Sequence, residues 1–120
     1  MEAFGPPQGL FVYGTLMRKF EFTFLYCRRF LEGCKVRTGR AHGVVLRQIN
    51  GLWTLVPSTE PDAWVDGEYV EPGPLLMDLK LRQADFIEGD AYERIVVDVS
   101  LSCGPQLRAY AYRLRDLTQT

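Results

Sequence analysis

The chain has 120 residues, a formal net charge of −1 and hydrophobic residues at 47% of its positions. This length is typical of one domain with a single core, and the small net charge gives no electrostatic basis for binding nucleic acid or an anionic membrane. The three cysteines, Cys27, Cys34 and Cys103, are an odd number without metal-site spacing, which predicts reduced thiols and a cytoplasmic protein. No apolar run approaches the ~18 residues of a transmembrane helix, and we expect neither a signal peptide nor a membrane span.

The N-terminal part is predicted to contain a tail, a strand and a helix. Two glycines and two prolines lie within residues 1–9, so we expect a flexible tail there, ahead of a single domain over residues 10–120. Residues 10–13 indicate a short buried strand that Gly14 ends. Residues 20–31 carry apolar side chains at roughly helical spacing, which predicts a helix.

A hairpin is predicted in the middle of the chain. Residues 35–49 contain a strand with an apolar centre at 44–46, and residues 52–56 are the returning strand. Asn50-Gly51 lies between them and favours a type I′ turn, because both residue types tolerate positive φ. Residues 65–70 are expected to form a further short strand.

The C-terminal part predicts a helix followed by two strands. Pro74 suits a first helical turn, and residues 75–88 form a helix that Gly89 ends. Residues 95–101 alternate apolar and polar side chains, which indicates a half-buried strand. Residues 107–114 form the last strand, with alanines on one face and tyrosines on the other. The elements together predict an α+β fold, a small, mostly antiparallel β-barrel with about two helices.

Two segments far apart in the sequence carry the candidate chemistry. Residues 11–16 (FVYGTL) indicate a strand that runs into a glycine-containing turn, whose backbone N–H groups can hold an anion. Residues 85–94 (DFIEGDAYER) place one carboxylate, Glu88, beside Gly89 at the end of the predicted helix. An anion cradle and one acid/base group are sufficient for an intramolecular acyl transfer.

These two segments resemble the gamma-glutamylcyclotransferase-like family, also called AIG2-like. Its signature is a Tyr-Gly-Thr-Leu loop near the N-terminus, followed in the second half of the chain by Asp-x-x-Glu-Gly and Tyr-x-Arg. Both stand here in that order, at 13–16 and at 85–94, and the resemblance covers most of the chain. It implies a compact barrel with a pocket at one end, and an enzyme of the acyltransferase or lyase type that needs no cofactor.

The resemblance also implies roles for particular residues. Glu88 matches the family's catalytic acid/base, and the reaction is attack of the α-amine of a γ-glutamyl compound on its own γ-carbonyl, which releases 5-oxoproline and an amine or amino acid. The residues implied to bind this small-molecule substrate are Tyr13, Gly14, Thr15, Leu16 and Tyr112. The sequence has no Cys/His cluster and no phosphate loop, so we expect no metal and no cofactor.

Several alternatives remain open at this point. The protein is either the enzyme or a non-catalytic small-molecule-binding module with the same pocket, and retention of Glu88 favours the enzyme because a binding scaffold needs no acid there. Residues 17–21 differ from the family pattern, so the leaving amine is not fixed by the sequence, and neither is the oligomeric state. Asp85 either bonds locally or raises the pKa of Glu88 by like-charge proximity. Tyr92 and Tyr110 have no assigned role.

Overall fold

The computed structural model describes residues 6–13, 32–102, 104 and 106–115. In these ranges a 3₁₀ turn at Pro74–Leu76 leads into one α-helix, α1, at Met77–Glu88. The strands are β1 Leu10–Val12, β2 Cys34–His42, β3 Val44–Ile49, β4 Leu52–Pro57, β5 Trp64–Pro72, β6 Tyr92–Leu101 and β7 Gln106–Leu114. The helix predicted at 20–31 lies outside the described residues.

Five strands close into a barrel in the order β1-β5-β2-β6-β7. Neighbouring strands are antiparallel, except that β1 and β7 run parallel and pair at Leu10 and Tyr110. Closure pairs every one of these strands on both sides and leaves the barrel without an open edge. The predicted α+β fold with a small, mostly antiparallel barrel is therefore confirmed.

Alternation of side chains along the barrel strands divides the core into two clusters. One cluster fills the barrel and consists of Phe11, Ala41, Val44, Leu55, Val65, Tyr69, Val97, Val99, Leu101, Ala109 and Ala111. The second cluster includes a residue of α1 and consists of Leu10, Val12, Val70, Ala84 and Tyr112. The alanines and tyrosines of β7 thus lie on opposite faces, as their alternation in the sequence predicts.

Strands β3 and β4 form a separate two-stranded sheet beside the barrel. Asn50 and Gly51 in its turn have φ angles of 52° and 82°, as a type I′ turn requires. The region 35–49 was predicted around one strand, but it holds two, because Gly43 with φ of 76° interrupts the extended backbone between β2 and β3. The hairpin still contributes Val44 and Leu55 to the barrel core.

Helix α1 ends at Glu88, as the sequence predicts, but begins at Met77, two residues later than predicted. Pro74 opens the 3₁₀ turn ahead of it, and Gly89 follows its last residue with φ of 84°. Throughout the described part of the chain, helices are too short or too polar to cross a bilayer.

Candidate functional site

Glu88 is the last residue of α1, and the backbone turns sharply after it. Gly89 has φ of 84° and ψ of −177°, a combination that is essentially restricted to glycine. Its N–H donates a hydrogen bond to the backbone oxygen of Asp85 at 3.0 Å. Strand β6 then begins at Tyr92, so the helix end and the strand start form a tight corner that carries Glu88.

The environment of Glu88 favours its neutral form. Burial raises the pKa of this carboxyl from 4.5 to about 7. Burial also raises the pKa of the tyrosines Tyr13, Tyr92 and Tyr112, and the charge of Glu88 adds to the increase in each of them. Three phenols, from the end of β1, the start of β6 and the C-terminal part of β7, therefore lie near the carboxylate. Of the two alternatives for Asp85, the local bonding role fits, because burial and not like-charge proximity raises the pKa of Glu88.

Tyr13 follows β1 directly and is half-buried. Its hydroxyl donates a hydrogen bond to the backbone oxygen of Tyr112, and its ring stacks against Phe11 with a centroid separation of 6.4 Å. The predicted anion cradle, Gly14, Thr15 and Leu16, comes next in the chain and lies outside the described residues. The structure therefore places the end of β1, which leads into the cradle, near Glu88. The role of the cradle residues themselves stays a prediction.

Tyr112 is 4% exposed and contacts the helix that carries Glu88. Its hydroxyl donates a hydrogen bond to Oδ1 of Asp85, three residues before Glu88. Arg94, the register partner of Tyr112 across β6 and β7, places Nη1 3.9 Å from Oδ2 of Asp85. Asp85 therefore lies between a phenol and a guanidinium supplied by two adjacent strands.

A cavity of about 430 Å³ opens beside this corner. Asp85 and Gly89, on either side of Glu88 in the sequence, line it, whereas the side chain of Glu88 does not. The lining combines acidic, basic and phenolic groups, from Asp85, Gly89, Asp90, Tyr92, Glu93, Arg94, Tyr112 and Arg115. Its volume lies within the range of small-molecule sites.

The described ranges contain no candidate metal site. They contain no group of three or more His, Cys, Asp or Glu side chains arranged to hold an ion. His42 lies on the exposed face of β2, with Nε2 2.7 Å from Oγ of Ser100. It is a surface strand residue, outside the candidate site.

Strand β4 contributes contacts near the site that sequence reasoning missed. Tyr92 donates a hydrogen bond to the backbone oxygen of Trp53 at 2.8 Å. The fully buried Oγ1 of Thr54 accepts a hydrogen bond from the N–H of Leu114 at 2.9 Å. These partners are 39 and 60 residues apart in the chain, and no local pattern in the sequence indicates either contact.

Comparison with known proteins gives a family match over nearly the whole chain. Residues 10–120 match the family described as "Gamma-glutamyl cyclotransferase, AIG2-like". The comparison with curated proteins gave no match.

Several solved structures share the fold. A solution structure from Arabidopsis thaliana is 21% identical with a TM-score of 0.67, over 95% of this chain and 66% of the other. YkqA from Bacillus subtilis is 25% identical with a TM-score of 0.61, over 92% and 36%. An AIG2-like protein from Mus musculus is 20% identical with a TM-score of 0.55, over 90% and 77%. The chain thus spans less than two thirds of the Arabidopsis protein and about a third of YkqA.

Proposed function

The chain belongs to the gamma-glutamyl cyclotransferase, AIG2-like family, and we propose that it releases 5-oxoproline from a γ-glutamyl compound, with Glu88 as general base and then general acid. The observation that carries this proposal is the burial of the Glu88 carboxyl, which raises its pKa to about 7. A carboxyl with such a pKa accepts and returns a proton efficiently near neutral pH.

The proposed reaction needs only one proton carrier. The Glu88 carboxylate removes a proton from the substrate α-ammonium, and the freed amine attacks the γ-carbonyl carbon. A new N–C bond closes the five-membered ring as a tetrahedral intermediate. The bond from that carbon to the leaving nitrogen then breaks as Glu88 returns the proton to the departing amine. Glu88 next takes the second proton from the ring nitrogen, which leaves the neutral lactam, and releases that proton to the amine product or to water. Both reacting groups belong to one molecule, so the protein mainly supplies orientation.

The substrate-binding residues follow from the same proposal. The backbone N–H groups of Gly14, Thr15 and Leu16 bind the substrate α-carboxylate, since fixed backbone donors suit an anion and carry no titratable charge of their own. Tyr13 supports this role because it lies immediately before these residues and near Glu88. Tyr112 is proposed to contact substrate from the wall of the 430 Å³ cavity. The reaction as proposed uses no metal or cofactor, and the odd cysteine count supports a cytoplasmic location.

The test is 5-oxoproline release from γ-glutamyl amino acids, γ-glutamylamines, γ-glutamyl-ε-lysine and glutathione. We expect wild-type protein to release 5-oxoproline from at least one of these classes, and Glu88→Gln to be slower by about 10²–10⁴-fold, the usual contribution of a general acid/base. Glu60→Gln is the matched control, because it makes the same change at an exposed residue between β4 and β5. It is expected to keep the wild-type rate.

Two results would contradict the proposal. Equal rates in wild type and Glu88→Gln would remove this carboxylate from the reaction. Binding of a γ-glutamyl compound by calorimetry, without release of 5-oxoproline from any compound, would identify a non-catalytic binding module.

A further inference from the structure

We propose that Tyr112 is a positioning residue. Its hydroxyl holds the last turn of α1 through a hydrogen bond to Asp85, and this contact fixes Glu88 near the end of β1. The kinetic consequence of this inference rests on the proposed function. The structural consequence does not, and it is tested separately.

The first support is the pair of bonds that Asp85 makes at the helix end. Its side-chain Oδ1 accepts the Tyr112 hydroxyl, and its backbone oxygen accepts the N–H of Gly89 at 3.0 Å. Asp85 thus joins β7 to the residue that directly follows Glu88. A hydrogen bond to an ionised carboxylate is stronger than one between neutral groups, so this contact is well suited to restrain the end of a helix.

The second support is that Tyr112 also contacts the other half of the candidate site. Its backbone oxygen accepts the hydroxyl of Tyr13, the residue immediately before the predicted cradle. One residue of β7 therefore contacts both the strand that leads to the cradle and the helix that carries the acid. These two parts lie more than seventy residues apart in the sequence but meet at Tyr112.

The third support is the setting of Asp85 on its other side. Arg94 lies with Nη1 3.9 Å from Oδ2 of Asp85, and its guanidinium carbon lies 5.3 Å from the ring centroid of Tyr110. The cation lies beside Oδ2 of Asp85, and the other carboxylate oxygen, Oδ1, accepts the Tyr112 hydroxyl. The ring of Tyr110 contacts the Arg94 guanidinium, but its hydroxyl does not bond to Asp85. Tyr110 is therefore a suitable control for removal of a tyrosine hydroxyl.

The contact matters because both the position and the burial of Glu88 depend on the helix end. A displacement of about 1 Å in a reacting group can cost about 10²-fold in rate. A looser helix end also admits water around the carboxyl, and hydration returns the pKa of a carboxyl toward its ordinary value.

The first experiment measures the pKa of Glu88 by ¹³C NMR titration of its carboxyl carbon, assigned with Glu88→Gln. Tyr112→Phe keeps the ring and removes the hydroxyl, and Tyr110→Phe makes the same change two residues away. We expect wild type and Tyr110→Phe to titrate near 7, and Tyr112→Phe to titrate about one unit lower. An unchanged titration in folded Tyr112→Phe would overturn the inference. Because no substrate is used, an inactive wild-type protein would reject the proposed function without affecting this result.

The second experiment changes Asp85, the acceptor of the Tyr112 hydroxyl. Asp85 is partly exposed, so Asp85→Ala and Asp85→Asn are both compatible with folding, and the asparagine keeps an oxygen that accepts the Tyr112 hydroxyl. With an active substrate we expect Tyr112→Phe and Asp85→Ala each to lower kcat at least about tenfold, and Asp85→Asn to retain most of it. A loss in Asp85→Asn equal to that in Asp85→Ala would contradict the hydrogen bond as the cause.

Discussion

The hydroxyl of Tyr92 donates a hydrogen bond to the backbone oxygen of Trp53 at 2.8 Å. Tyr92 begins β6 four residues after Glu88, and Trp53 belongs to β4 of the separate hairpin. This hydrogen bond therefore joins the β3–β4 hairpin to β6, the strand that follows the candidate site. This bond is exposed, so its effect is expected to be local.

Tyr92→Phe is expected to loosen the hairpin without unfolding the barrel. The variant loses one hydrogen bond and keeps its ring, so the free energy of unfolding falls by about 0.5–1.5 kcal/mol at most. Hydrogen exchange of the β4 amides is the measurement, and we expect faster exchange there with unchanged protection in β7. Tyr110→Phe is the control, and equal β4 exchange in wild type and Tyr92→Phe would show that the bond does not hold the hairpin.

Burial of Glu88 makes stability depend on pH. Its pKa is about 7 in the folded chain against an ordinary 4.5, so the folded state binds the extra proton between these values. The stability that this proton supplies is fully present below pH 4.5 and is lost as the pH rises through 7. Glu88→Gln stays neutral, so its stability relative to wild type is expected to increase by on the order of 1–3 kcal/mol from pH 4.5 to pH 8.

Urea unfolding of both proteins across this pH range measures the difference. Glu60→Gln, the same change at an exposed residue, is measured beside them as the control. A constant difference for Glu88→Gln would show instead that Glu88 titrates as an ordinary carboxyl.

Gly89→Ala is expected to damage both the helix end and the proposed reaction. The φ of 84° and ψ of −177° at this residue strain any residue with a Cβ by about 1–3 kcal/mol, although no atom lies within 4 Å of the added carbon. Gly73→Ala is the control, because Gly73 has φ of −61° and ψ of 153° with equally open space. Thermal unfolding and 5-oxoproline release measure the two effects.

The backbone angle, and not crowding, is therefore the predicted cause of damage at Gly89. Wild-type stability and activity in Gly89→Ala would show that the corner after Glu88 tolerates another conformation.

Much of the fold could be predicted because its signals are local. The alternation in β6, the Asn50-Gly51 turn and the stop at Gly89 each depend on a few neighbouring residues, and all three are present in the structure. The break between β2 and β3 was missed because Gly43 lies between runs of similar composition. Its positive φ, which divides the region into two strands, is not evident from residue type alone.

The arrangement around Glu88 could be predicted only in part. The sequence places this glutamate at a helix end, but burial of its carboxyl depends on strands brought in from elsewhere in the chain. The contacts of Tyr112 with Asp85 and of Tyr92 with Trp53 join residues 27 and 39 positions apart. Such contacts follow from barrel closure and the packing of the hairpin, which have no counterpart in local periodicity.

The pH dependence of kcat/KM tests most directly whether Glu88 carries the proton. With a γ-glutamyl substrate that releases 5-oxoproline, we predict that kcat/KM of the wild type rises with pH through a midpoint near 7, the pKa to which burial raises the Glu88 carboxyl. We also predict that this transition is absent from the residual activity of Glu88→Gln. The same transition in both proteins would contradict the assignment of Glu88 as the general base.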